Sequence, residues 1–149
     1  MDYSLNIGDT LPAFKVKDNG DTLTDDDLIG SPVVIYFYPK DDTPGCTKEA
    51  CDFRDNIKRL NEVDAIVIGI SPDNAASHEK FKQKYNLNFN LISDENYELS
   101  KKFAVPKGLL GIERSTFVVD REGIIRWIER PVKVPGHIDR VINALKELP

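Results

Sequence analysis

Residues 33–38 read VVIYFY, an unbroken run of β-branched and aromatic residues directly after Pro32. A strand with one face in water alternates apolar and polar residues, because successive side chains point to opposite faces. A run without alternation has to be covered on both. This segment therefore predicts a central, fully buried strand, and the rest of the chain must supply its cover. AIVIGI at 65–70 has the same character and predicts a second buried strand.

Helical patterns separate and follow these runs. From Cys46 onward, Ala50, Phe53, Ile57 and Leu60 recur at helical spacing. Residues 74–85 predict a helix with Asn74 as N-cap and Phe81 and Tyr85 as an i, i+4 pair. Residues 95–103 predict another, with Leu99 and Phe103 on one face. A last helix, starting near Gly136, carries Ile138, Val141, Ile142, Leu145 and Leu148 as a stripe for docking on a sheet. TFVVD at 116–120 and GIIRWIER at 123–130 read as a hairpin. The N-terminal part predicts a shorter one, with strands around residues 14–17 and 22–23 and a turn at Asn19 and Gly20. The order predicts an α/β fold, a central mixed β-sheet flanked by helices with an N-terminal β-hairpin. No repeat or Pro/Gly/Ser-rich linker divides the 149 residues, so 1–149 is expected to form a single domain.

Charge narrows the partners. Lys plus Arg number 20 and Asp plus Glu 25, a net charge of −5, which argues against nucleic acid and against an anionic membrane surface. No apolar run approaches the ~20 residues of a membrane-spanning helix. MDYSLNIGDTLPAF lacks the basic start and apolar core of a secretory signal, so a cytoplasmic location is expected. There, two cysteines are better suited to redox chemistry than to a structural bridge.

Those two, Cys46 and Cys51, stand five residues apart in YFYPKDDTPGCTKEACDFR (36–54). The spacing is not that of Cys-x-x-Cys, and two cysteines with two scattered histidines make no convincing zinc site. Thr43 followed by Pro44 is a helix-start signal, with Thr as N-cap and Pro at the first helical position. Cys46 then lies in the first turn, where unpaired backbone N–H groups and the positive end of the helix dipole favour thiolate over thiol. A lone cysteine on an apolar stripe is more often an inert core residue. The Thr-Pro-Gly turn and the second thiol tip the reading toward chemistry. Five residues of helix put Cys51 roughly 140° around from Cys46, on the side of Asp55 and Lys58, with Cα atoms about 8.6 Å apart. A disulfide rarely spans more than about 7 Å between Cα atoms, so the pair can close only if the start of the helix unwinds.

The segment FYPKDDTPGCTKEACDFRD closely resembles the signature of the peroxiredoxins, and within them the bacterioferritin-comigratory, or peroxiredoxin Q, subfamily. Pro39, Thr43 and Cys46 meet the pattern Pro-x-x-x-Thr-x-x-Cys, and Cys46 and Cys51 meet Cys-x-x-x-x-Cys. ERSTFVVDREG matches the Arg-x-Thr-Phe-x-x-Asp segment and places its arginine at Arg114. The resemblance implies a thioredoxin-like fold and thiol-dependent reduction of hydrogen peroxide and organic hydroperoxides. Cys46 would be the peroxidatic nucleophile, and Cys51 would resolve its sulfenic acid to an intramolecular disulfide. Thr43 would offer its hydroxyl to peroxide and thiolate, Pro39 would shield the pocket, and Arg114 would supply positive charge. It further implies no metal or organic cofactor and re-reduction by a thioredoxin-type dithiol partner. A monomer is expected, with a weak dimer left open.

The remaining polar residues read more plainly. His78 and His137 are expected on the surface. Asp25, Asp26 and Asp27 fit a solvated turn or helix start, and Asp41 and Asp42 belong to the loop. Glu49 and Arg54 lie on the Cys46 helix without a firm role, and Trp127 fits hairpin packing. Two rival readings remain: a general thiol–disulfide oxidoreductase, which would be expected to carry Cys-x-x-Cys, and a binding module with an idle thiol pair.

Overall fold

The computed structural model describes residues 4–18 and 20–149. At its centre is β3 (Val33–Phe37), every residue of it buried. It pairs in parallel with β4 (Ile66–Ser71), which pairs in parallel with β5 (Asn90–Ser93). On its other side β3 pairs antiparallel with β8 (Ser115–Val119), and β8 antiparallel with β9 (Ile125–Glu129). The mixed sheet thus runs β5-β4-β3-β8-β9, and the expected C-terminal hairpin forms. The N-terminal hairpin is β1 (Lys15–Asp18) with β2 (Asp21–Thr24). Of its predicted turn, Asn19 lies outside the described residues, while Gly20 has the left-handed φ of 86° that glycine accepts freely.

The non-alternating run in β3 feeds two cores. Val34 and Tyr36 enter one cluster with Cys46, Ala50, Phe53, Leu60, Val141 and Leu145. Val33, Ile35 and Phe37 enter a second with Phe14, Leu28, Ile70, Leu99, Phe103 and Phe117. The first is covered by α1 (Pro44–Asp55), α2 (Ile57–Glu62), α3 (Ala75–Tyr85) and α5 (His137–Lys146). The second is covered by the N-terminal segment and α4 (Glu98–Lys102). Gly69 sits opposite Tyr36 in the β3–β4 register. A Cβ there would stand 2.9 Å from the Tyr36 hydroxyl and 2.8 Å from Leu91 Cδ2, so only glycine admits the ring.

Several local expectations need correction. The helical pattern from Cys46 to Leu60 is two helices, not one, broken at Asn56, whose side-chain amide donates to the Asp52 carbonyl at 2.8 Å. The helix expected over 95–103 is confined to Glu98–Lys102. The Asp94 carboxylate accepts the Leu99 and Ser100 amides at 3.0 and 2.9 Å and so fixes a later start. Asn74 caps α3 as expected, accepting the Ser77 amide at 2.8 Å. The three aspartates form a short 3-10 turn, Asp25–Leu28. Trp127 lies in β9 and packs against the Cys46 core. Among the described residues, no helix is long and apolar enough to cross a membrane.

Candidate active site

The carboxyl end of β3 runs through Tyr38 into a loop at 39–43 and then into α1. Pro44, Gly45 and Cys46 are the first three helical residues, and the first intrahelical bond is from the Thr47 amide to the Thr43 carbonyl, 2.8 Å. The Gly45 and Cys46 amides therefore precede any intrahelical acceptor. Cys46 is buried at 1% exposure and Cys51 is half-buried, and both are free thiols within one unbroken helix. The geometry that keeps them from bridging holds in the folded state.

Arg114, in the connection from β7 (Gly111–Ile112) to β8, reaches across to this turn. Its Nη2 lies 3.4 Å from Cys46 Sγ and its Nη1 donates to Glu49 Oε1 at 2.7 Å. Gly45 makes the approach possible, since a Cβ there would stand 3.0 Å from Arg114 Nη2. Pro39 is half-buried and packs against the short hairpin of β6 (Lys107–Gly108) and β7, where a Cβ on Gly111 would stand 3.2 Å from its own Cβ. Leu109 and Leu110, at the hairpin tip, are fully exposed.

Thr43 occupies the N-cap position with extended backbone (φ −101°, ψ 156°), but its side chain makes no cap hydrogen bond. Its hydroxyl donates instead to the Lys40 carbonyl at 2.9 Å. The chain doubles back at Asp42, which has a φ of 57°, and this brings that carbonyl within reach.

Both histidines are buried, contrary to expectation: His78 is 4% exposed and His137 2%. The first residue of α5, His137, stands edge-on to Phe53 at 5.7 Å between centroids, and its Nδ1 lies 3.5 Å from Glu49 Oε2. The bidentate pair of Arg140 with Glu129, at 2.6 and 2.8 Å, ties α5 to β9 and so holds His137 in place. Glu49, given no firm role by the sequence, is thus the hub between Arg114 and His137. Its signal was its place three residues after Cys46, on the same helical face.

Burial pushes the Glu49 carboxyl up to about 7, against the opposing charge of Arg114. Arg114 itself is held above the usual guanidinium range: burial works to lower it, and the charges of Glu49 and Cys46 outweigh that. The two directions are compatible, because a guanidinium N–H can donate to the carbonyl oxygen of a neutral carboxyl as well as to a carboxylate. Burial also pushes His137 down to about 4. Between pH 4.5 and 6.5 the folded pair therefore holds its one proton on Glu49, and the unfolded pair holds one on His137. The proton counts match and the pH dependence cancels. His137→Gln removes one half of this balance. The variant should lose stability relative to the parent as pH rises from 5 to 7, on the order of a few kcal/mol, because folded Glu49 then holds a proton that the unfolded chain has released. Urea unfolding midpoints of both proteins at the two pH values measure this, and a pH-independent difference would show that Glu49 does not titrate in this range.

The AhpC/TSA family profile matches residues 7–128. Peroxiredoxin Bcp of Bacillus subtilis is 44% identical over 97% of this chain and 98% of its own length. The chloroplastic peroxiredoxin Q of Suaeda salsa is 44% identical over 95% of this chain and 68% of its own. Among solved structures, the bacterioferritin comigratory protein of Xanthomonas campestris, described for its alkyl peroxide reduction activity, superposes with a TM-score of 0.84. It is 37% identical, covering 97% of this chain and 98% of that one.

Proposed function

The chain belongs to the AhpC/TSA family, among relatives named as Bcp and Q peroxiredoxins, and from that premise we propose that Cys46 and Cys51 run a two-cysteine peroxidase cycle. The observation that carries this reading is the Arg114 guanidinium 3.4 Å from Cys46 Sγ, with the second free thiol in the same helix. The Cys46 thiolate attacks one peroxide oxygen, and the S–O bond forms as the O–O bond breaks. The departing oxygen takes a proton and leaves as water or alcohol, and the sulfur is oxidised to sulfenic acid. Negative charge moves from sulfur to the leaving oxygen, within the field of a guanidinium already in place. Thr43 gives up its bond to Lys40 to meet the peroxide, and Pro39 closes the pocket from the outside.

The cycle then needs α1 to unwind from its start, because an intact helix holds the Cα atoms about 8.6 Å apart. The Cys51 thiol attacks the sulfenic sulfur, the S–S bond forms, and hydroxyl leaves as water with the thiol proton. A thioredoxin-type dithiol protein, oxidised in turn, returns two electrons by thiol–disulfide exchange. Both electrons pass through sulfur, so the cycle requires no metal or organic cofactor. Substrates are hydrogen peroxide and organic hydroperoxides. The exposed Leu109 and Leu110, on the hairpin that packs against Pro39, offer apolar surface to an alkyl chain. Resolution within one helix makes a monomer sufficient, and a reducing cytoplasm suits the dithiol donor.

The test is reaction of fully reduced protein with one equivalent of hydrogen peroxide, quenched over time and read by thiol alkylation and peptide mass spectrometry. A Cys46–Cys51 disulfide should appear rapidly, and Cys51→Ser should instead accumulate sulfenic acid on Cys46. Two free thiols persisting for many minutes would remove the peroxidase cycle and leave a thiol-exchange or binding role.

A further inference from the structure

Asp41 is nine-tenths buried in the loop before α1, yet the cycle proposed above gives it no task. Its Oδ1 accepts the Tyr38 hydroxyl at 2.6 Å, and its Oδ2 accepts the Ser77 hydroxyl at 2.8 Å and faces His78 Nδ1 at 2.7 Å. Its amide donates to Asp73 Oδ2 at 2.7 Å, and that same oxygen accepts the Ser71 hydroxyl at 2.8 Å. His78 Nε2 lies 3.1 Å from the Ile92 carbonyl. A carbonyl only accepts, so Nε2 carries a hydrogen. Burial, and then the neighbouring Tyr36 and Asp41, hold Tyr38 far above the ordinary phenol range, so it remains a donor. Two hydroxyl donors and the His78 ring thus converge on the two oxygens of one buried carboxyl group. Asp41, Asp73 and His78 bring potential ligand atoms within 4.8 Å of one another, but those groups already bond each other and neighbouring donors, so no cation is invoked.

We propose that Asp41 and His78 form a latch that keeps the loop from Pro39 to Asp42 docked on α3 while α1 unwinds, so that the moving segment begins at Thr43. This rests on the Cys46–Cys51 cycle proposed above. All the latch bonds run to β3, β4, α3, β5 and their connections, and none runs to α1. Asp42, in left-handed conformation, forms the joint between latch and helix, with its carboxylate held from outside by Lys84 and the Tyr85 hydroxyl, each at 2.7 Å. Beyond the joint, the start of α1 is secured by the Thr47-to-Thr43 bond and by the contacts of Arg114 with Cys46 and Glu49. The Arg114 contact with the sulfur is lost as soon as Cys46 leaves its pocket. A fixed loop leaves Pro39 seated on the β6–β7 hairpin through the cycle and gives α1 a template on which to re-form after reduction.

Hydrogen exchange read by mass spectrometry on the full-length protein tests this, comparing the reduced form with the disulfide form. The disulfide is made with peroxide and, separately, with diamide, which oxidises a dithiol without any peroxidase activity. In the disulfide form, amides of 47–51 should lose protection while the Asp41 amide keeps it. Loss of protection at Asp41 alongside α1 would overturn the latch. In Asp41→Asn and His78→Gln, protection at 38–42 in the disulfide form should fall about tenfold, the equivalent of one buried hydrogen bond. No change in either variant counts equally against the latch, and should both variants fail to fold, the parent comparison decides alone. Disulfide formation by diamide but not by peroxide sinks the peroxidase cycle and still tests the latch. No disulfide by either route removes both.

Discussion

Arg114→Ala is expected to lower the second-order rate constant for hydrogen peroxide by about 10²–10³, the cost of removing one preorganised donor from a developing oxyanion. Peroxide attack transfers negative charge from sulfur to oxygen, and the guanidinium beside Cys46 is the cation that can follow it. Stopped-flow mixing of reduced protein with peroxide, followed by the fluorescence of Trp127, gives the rate directly. Trp127 is the one tryptophan of the chain and packs against the same core as Cys46. A decrease of less than about threefold would overturn the catalytic role proposed for Arg114.

The same variant separates catalysis from stability. Glu49 has no exposed side-chain surface, and losing Arg114 leaves it without a counter-charge. Breaking such a pair costs about 3–5 kcal/mol when the remaining charge persists. Glu49 is already raised to about 7 and is free to stay protonated. The penalty should therefore be small below that pH and grow above it, because the folded state then binds a proton that the unfolded chain releases. Adding Glu49→Gln to Arg114→Ala should restore stability at high pH without restoring the rate.

Phe53→Ala should destabilise the fold by about 3–5 kcal/mol, lowering the thermal midpoint by roughly 10 °C for a chain of this size. The ring is fully buried, stacked on Tyr36 at 4.8 Å between centroids and edge-on to Phe89 at 6.1 Å and His137 at 5.7 Å. In the cycle proposed above, it is also the anchor that holds the distal part of α1 to the sheet while the start of the helix unwinds. The variant should therefore resolve its sulfenic acid faster relative to a second peroxide attack and accumulate less sulfinic acid per turnover. A loss below about 1 kcal/mol would mean that the cavity collapses and that the ring anchors nothing.

What the sequence determined by itself is what local chemistry and periodicity encode. VVIYFY required a strand covered on both faces, and the structure divides its side chains between two cores. Thr43-Pro44 set the start of α1, which fixed the position of Cys46, and helix geometry separated it from Cys51. Pro39 and Arg114 were legible only because their surroundings resemble a family signature; nothing in their own spacing marked them. Tertiary structure alone decided the rest. His78 and His137 look like ordinary helix residues until α3 and α5 dock and turn them inward. Glu49 becomes a hub only when the segment after β7 and the start of α5 arrive from residues 114 and 137. Asp41 reads as a loop carboxylate until two distant segments, the connection after β4 and α3, close over it. The physical reason is common to all four. A buried polar group is defined by the partners that satisfy it, and here those partners lie far away in sequence, where no short-range pattern records them.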